Sequence, residues 1–181
     1  MTPSSSASRA RPDLAPTLAA VRALFGAAAC SCALVDGEGS SLTFVAADGA
    51  GAAEIVGVDM PVGRGIAGWA AMSGQPIAVR DVASDARFNR DVAESTAYVP
   101  TSVLAAPVYD AEGEVIGVVS VLDPTVDQAT DWVLTVLGTL AVPLAGLVRL
   151  GAAEARAEAR LTELGRTVLA AVESYGAPER R

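Results

Sequence analysis

Two residue types are missing from this 181-residue chain, and each absence removes chemistry. There is no histidine. That excludes histidine-ligated haem, histidine-containing zinc sites and Ser-His-Asp or Cys-His catalysis. There is no lysine either, since all 13 basic residues are arginine. A lysine-bearing phosphate loop, a Schiff base and a kinase-type lysine are excluded with it. Cysteine is scarce: Cys30 and Cys32 are too few for a disulfide framework, and alternate residues of one strand rarely bridge. Positive charge is scarce as well. The formal net charge is −8 with no basic stripe, a poor match for nucleic-acid phosphates. No long apolar run is uninterrupted. The nearest, Trp132 to Val148, carries Pro143 and Gly/Thr breaks and reads as a buried helix rather than a membrane span.

What is present suffices for one domain with a real core, at 51% hydrophobic residues. The acidity sits in the middle: residues 30–151 hold five arginines against fifteen acids. Residues 1–12 are Ser/Ala/Arg/Pro-rich and are expected to be disordered. The apolar stretch after them is broken by Asp13, Pro16 and Arg22, so it does not read as a secretory leader. A cytoplasmic, reducing setting is expected, and the Ala- and Arg-rich usage suggests a GC-rich bacterial genome.

Leu14, Leu18, Val21, Leu24 and Phe25 share one helical face, predicting a helix over 13–28. Cys30 to Val35 and Ser41 to Ala47 alternate as strands around the turn 36–39. Residues 48–53 read as loop or weak helix, and Ile55 to Met60 as a short strand. Ile66 to Met72 reads as a helix stopped near Gly74, and Pro76 to Val79 as a strand. A polar loop fills 81–90, with a short helix over Val92 to Ala97. Val103 to Tyr109 and Glu114 to Leu122 form the firmest hairpin, around an acidic Gly turn. From Thr130 apolar residues recur at helical spacing, and Pro143 is expected to kink or end that helix. Ala152 to Glu173 is a charged amphipathic helix, solvated or meeting a partner helix. This order is α+β around an antiparallel sheet, not alternating βαβ.

Gly63-Arg64-Gly65-Ile66-Ala67-Gly68 matches the G-x-G-x-x-G dinucleotide pattern, with Asp81 near the position of a ribose-binding acid. Pro61 in the preceding segment argues against a central strand there, so a tight turn opening a short helix is the expected reading. Cys30 and Cys32 are expected to be buried as small hydrophobes rather than to hold a metal. Asp81, Asp85, Asp91 and Glu94 form an acid cluster better suited to turns and caps than to metal binding. Trp69, Phe88, Tyr98 and Tyr109 fall within forty residues and suit either a core or a lined pocket. Arg64, Arg87, Thr101 and Ser102 could supply such a pocket with polar groups.

Residues 60–123 taken together resemble a GAF domain. Met60-Pro61-Val62-Gly63-Arg64-Gly65-Ile66-Ala67-Gly68-Trp69 resembles that family's turn into a sheet-covering helix. Gly74 to Val82 with Asp85-Ala86-Arg87-Phe88 resembles the following strand and acidic loop. Ser102 to Val108 and Gly113 to Asp123 resemble the closing hairpin. With the first helix and hairpin the resemblance spans 13–150, leaving 151–181 as a charged helix and tail. It implies a central antiparallel sheet of about six strands. Terminal helices would cover one face, and short helices and loops a pocket on the other. It also implies a regulatory role, ligand binding by a small molecule, and dimerisation through terminal helices.

Departures narrow the family's options. The absence of histidine excludes its Cys-His bilin and histidine-ligated iron members. Its methionine-sulfoxide reductases need loop cysteines, and 60–102 contains none. Phe88-Asn89-Arg90-Asp91 matches its cyclic-nucleotide signature only superficially. The expectation is therefore a non-catalytic, cytoplasmic small-molecule sensor without a bound cofactor or metal. Trp69, Phe88, Tyr98 and Val119 are its expected pocket walls, with Arg87 and Ser102 as polar anchors. No effector segment is evident, so output would pass to a separate partner protein or a second copy. The alternative is a ligand-free dimerisation or scaffold module. A remoter one is a redox enzyme using Cys30 and Cys32, whose strand setting lacks the positive charge a thiolate needs.

Overall fold

The computed structural model describes residues 14–96, 98–126 and 132–176, without the side chains of Asp91, Ser95 and 168–176. Residues 1–12, expected to be disordered, lie outside the described residues. Period-two alternation produces six strands: β1 (Ala29–Val35), β2 (Ser41–Gly49), β3 (Asp59–Pro61), β4 (Ile77–Val79), β5 (Val103–Tyr109) and β6 (Val115–Leu122). All pairings are antiparallel, in the order β3-β2-β1-β6-β5-β4. The helices are α1 (Ala15–Leu24), α2 (Ala52–Ile55), α3 (Gly65–Ser73), α4 (Arg90–Ser95) and α5 (Trp132–Gly176).

Alternation divides the core between the two faces of the sheet. Ala33, Leu42, Phe44, Val103, Ala105 and Val118 pack with Ile66, Ala67, Ala70 and Ala71 of α3. On the other face Cys30, Cys32, Leu104, Ala106, Val108, Val119 and Val121 are buried. There α1 packs on β1 and β2 and buries Leu18 and Val21. Val133, Leu137, Ala141 and Leu144 of α5 are buried too. Each fully buried aliphatic side chain is worth roughly 1.5–3 kcal/mol, so the helix faces hold the sheet through burial rather than helix propensity. A one-residue irregularity in β2, where Cys32 opposes Ala46 and Ala33 opposes Phe44, keeps Leu42 and Phe44 on the α3 face.

Two local expectations change between β2 and β5. Only the end of the strand expected over Ile55 to Met60 pairs regularly: Ile55 closes the single helical turn α2, and β3 runs Asp59–Pro61. Gly57 and Val58 already hydrogen-bond to Phe44, but a Gly and the turn before it delay regular pairing. As an edge strand ending in Pro61, β3 satisfies the proline restriction. The short helix lies at Arg90–Ser95, two residues earlier than expected, because Asn89 caps it by accepting from Val92 N at 3.4 Å.

Pro143 does not end α5, which runs on to Gly176. The helix expected from Trp132 to be buried is buried along one face only: Trp132 and Val142 are exposed. By length and composition alone, the Trp132–Thr167 segment is apolar enough to cross a membrane. Residues Asp13–Leu147 form one compact unit, and the chain from Val148 belongs to a second. In the latter, Leu150, Leu161 and Leu164 are exposed.

Candidate functional site

The α3 face of the sheet does not close completely. It leaves a cavity of about 110 Å³. Its floor is sheet, from Ser31 on β1, Phe44 on β2, Val103 on β5, and Ser120 and Leu122 on β6. One wall is the start of α3, with Gly65, Ile66 and Ala67. The opposite wall is the segment running through Phe88, Val92, Ala93, Thr96, Tyr98 and Pro100.

Glycine makes the first wall possible. Gly65 has φ +68°, and a Cβ there would stand 2.9 Å from Met60 Sδ, another cavity residue. Gly68 lies so close to the preceding turn that a Cβ would meet Pro61 O at 2.9 Å, and its own carbonyl accepts from Gly63 N at 2.8 Å. The G-x-G-x-x-G pattern therefore packs a helix onto its own entry turn, on a sheet with no parallel strand pair among the described residues.

The second wall is built by polar side chains closing on backbone. Asp81 accepts from Ala83 N and Asp85 from Arg87 N, the Asx-turn chemistry expected of this acidic loop. Asp123 anchors the far end. It accepts from Thr101 N (2.8 Å), Thr101 Oγ1 (2.6 Å), Ser102 N (2.8 Å) and the Tyr98 hydroxyl. Burial alone would raise the Asp123 carboxyl, but the Thr101 and Tyr98 hydroxyls and the two backbone N–H groups outweigh it and hold it below the usual carboxylate range. Tyr98 moves the other way: burial, then its bond to Asp123, push its phenol up to about 12. Asp123 adopts φ +49°, a left-handed conformation that aspartate tolerates better than most residues.

Of the six residues expected to contact a ligand, Phe88 and Tyr98 line the cavity. Trp69 does not. It is half-buried against the α3-face core, and the Arg87 guanidinium sits 4.9 Å from its ring centroid. Arg87 also forks onto Asp85 at 2.9 and 2.6 Å and borders a neighbouring surface hollow with Arg64 and Arg90. Ser102 is buried beside Asp123 and belongs to the anchor of the wall. Val119 faces the other way: its register partners Cys32 and Ala106 belong to the sheet face covered by the terminal helices. One-residue alternation decides this, and it brings Ser120 to the cavity instead.

Sequence reasoning passed over Ser31, Ser120 and Asp123. The only signal was alternation for the serines, and an acid directly after a strand for Asp123.

Among the described residues, the cavity lining contains hydroxyls and one amide but no cysteine, carboxylate or cationic side chain. Cys30 and Cys32 are buried on the opposite face. Burial pushes both thiols up to about 12, for Cys30 with a further push from Cys32 and Asp48. No group of three or more metal-ligating side chains occurs among the described residues.

The sequence model of the GAF domain matches residues 13–146. The chain belongs to the GAF domain family. A solved GAF domain from an Acinetobacter phosphoenolpyruvate-protein phosphotransferase superposes with a TM-score of 0.66 at 21% identity, covering 79% of this chain and 84% of that one. A free methionine-R-sulfoxide reductase from Neisseria meningitidis superposes with a TM-score of 0.64 at 24% identity, covering 81% and 82%. The second GAF domain of DevS from Mycobacterium smegmatis gives 0.60 at 20%, covering 78% and 94%. In sequence, a cGMP-specific 3',5'-cyclic phosphodiesterase of Drosophila melanogaster is 37% identical over 76 residues, 42% of this chain. The match spans only 6% of that enzyme's length. This GAF domain has a six-stranded antiparallel sheet and a long C-terminal helix.

Proposed function

We propose that this GAF domain is a regulatory, non-catalytic binding module for a small molecule held in the cavity between the sheet, α3 and the 88–100 segment. The observation that carries this is the cavity itself: apolar walls, a few hydroxyls, and a loop-and-helix wall pinned at one end by Asp123. Small-molecule sites combine these features. A ligand that packs better with the wall closed would shift the population toward that state.

Catalysis finds little support. The reductase among the structural neighbours is named for a redox reaction, yet both thiols here are buried away from the cavity and strongly disfavour the thiolate. A nucleotide ligand, suggested by the phosphodiesterase's name, finds no cationic side chain among the described residues of the lining to meet a phosphate. The enclosed space is below the ~150 Å³ of an apolar cavity that accepts benzene, but the site opens to the surface, so a molecule of at most one ring, partly outside the enclosed volume, fits better than a nucleotide.

Native mass spectrometry of freshly purified protein, set against the denatured mass, tests the reading. An added small mass that is lost on denaturation is expected. Its absence, together with no stabilisation across a metabolite screen, overturns it.

A second reading is a dimerisation module, with signalling output to a second copy or a separate protein. Exposed Leu150, Leu161 and Leu164 on α5 favour it. Deleting 152–181 should then leave a folded monomer in place of a dimer, and an unchanged oligomeric state argues against it.

A further inference from the structure

Ser31 and Ser120 stand opposite each other in the register of β1 and β6, and both line the cavity floor. They are only 7% and 5% exposed. Among the described residues, the other polar side chains in the lining each make a hydrogen bond within the protein. The Thr96 hydroxyl bonds to Ala93 O at 3.0 Å, Tyr98 to Asp123, and Asn89 Oδ1 to Val92 N. Among the described residues, neither serine hydroxyl has a hydrogen-bond partner, nor do the two bond to each other. Directly opposed residues on adjacent antiparallel strands hold their Cβ atoms about 4.5–5.5 Å apart. One oxygen can therefore sit between the two hydroxyls, accepting from one and, if it carries a hydrogen, donating to the other. A buried hydroxyl without a partner is unfavourable and calls for an explanation in a native fold.

We propose that Ser31 and Ser120 form the polar floor of the binding site. The ligand is then an uncharged molecule with an apolar body of about one ring and a single hydroxyl or carbonyl oxygen at its buried end. This rests on the reading of the cavity as a ligand site. The described residues of the lining select against charge at that end, since a buried ion would meet no counter-charge among them. Paired hydroxyls select for the oxygen, because an analogue without it leaves both unpaired.

Phenol and toluene test this on the full chain, because they differ at the tip and match in size. Titrations followed by calorimetry or NMR should show phenol binding about tenfold tighter than toluene. In Ser31→Ala/Ser120→Ala that preference should vanish, with toluene binding kept or improved. Without ligand the double variant should melt no lower than the parent, since it only removes unsatisfied hydroxyls. Equal binding of both probes by the parent overturns the proposal while leaving the cavity reading intact. So does a phenol preference that survives in the double variant. A ligand-free double variant that melts markedly lower, or fails to fold, also overturns it, by showing that ordered water already satisfies the hydroxyls. Binding of neither probe at millimolar concentration removes the cavity reading, and the proposal falls with it.

Discussion

Tyr98 donates its phenolic hydrogen to Asp123, a carboxylate 25 residues later in the chain. That bond ties the outer wall of the cavity to the end of β6, an interior strand of the sheet. Thr101 and Ser102 join the same carboxylate, so one side chain gathers the whole 98–102 corner.

Asp123→Asn keeps the side chain's size and its tolerance of a left-handed backbone but removes the charge. It should lower stability by about 1–2 kcal/mol, since hydrogen bonds to a charged acceptor are being weakened. The pH dependence follows from the sign of the shift. Asp123 titrates lower in the folded protein, so its contribution is present above its unfolded pKa of about 4 and is lost as pH falls through its folded value. Urea unfolding at pH 7 and below pH 4 should show the variant's deficit shrinking in acid. Hydrogen exchange at 98–102 should quicken in the variant at pH 7.

Raised pKa values work at the other end of the scale. Tyr98, Cys30 and Cys32 all titrate near 12 when folded. Their contributions are complete below the unfolded values, about 8.5 for Cys and 10 for Tyr, and are lost as pH climbs toward 12. Thermal unfolding should show stability falling steadily above about pH 9. At pH 8 a thiol-reactive disulfide should label neither cysteine in the native protein and both in guanidinium. Rapid native labelling would reopen the redox reading.

Two glycine substitutions should act in opposite directions. Gly68→Ala forces a methyl against Pro61 O and Gly63 N, and is expected to cost about 2 kcal/mol. Gly138→Ala meets nothing within 4 Å in the interior of α5 and should stabilise by about 0.5–1 kcal/mol. Denaturant midpoints at constant slope read both.

Ala93→Leu should fill the cavity from its α4 side and abolish the bound mass in native spectra while leaving a cooperative melt. Arg87→Ala removes the contact with Trp69 and Asp85, outside the cavity lining. A loss of about 1 kcal/mol with ligand binding retained is expected. Loss of binding in Arg87→Ala would instead place the ligand in the arginine-bordered hollow.

Much of this fold was legible as pattern. Both hairpins, α1, α3 and the apolar stripe of α5 follow from residue periodicity, and the two cysteines were recognisable as buried strand residues. Legibility failed where local signals conflict with pairing. Ile55 to Met60 has strand composition, but Gly57 and the turn before it postpone the ladder to Asp59. Pro143 suggests a break, yet one missing backbone bond does not end a helix whose other turns are held by Val133, Leu137, Ala141 and Leu144.

Sequence by itself determined the class of architecture and the chemistry unavailable to this chain, because periodicity and composition are local and additive, while the ordered motifs of 60–123 carried the resemblance to the family. Tertiary structure alone decided which face each residue serves. Val119 and Ser120 are neighbours in the chain, and a period of two sends one to the helices and the other to the cavity. The Asp123 anchor joins groups some twenty residues apart, and the unpaired hydroxyls of Ser31 and Ser120 exist only because β1 and β6 lie side by side. Non-local pairing of this kind leaves no trace in the spacing of residues.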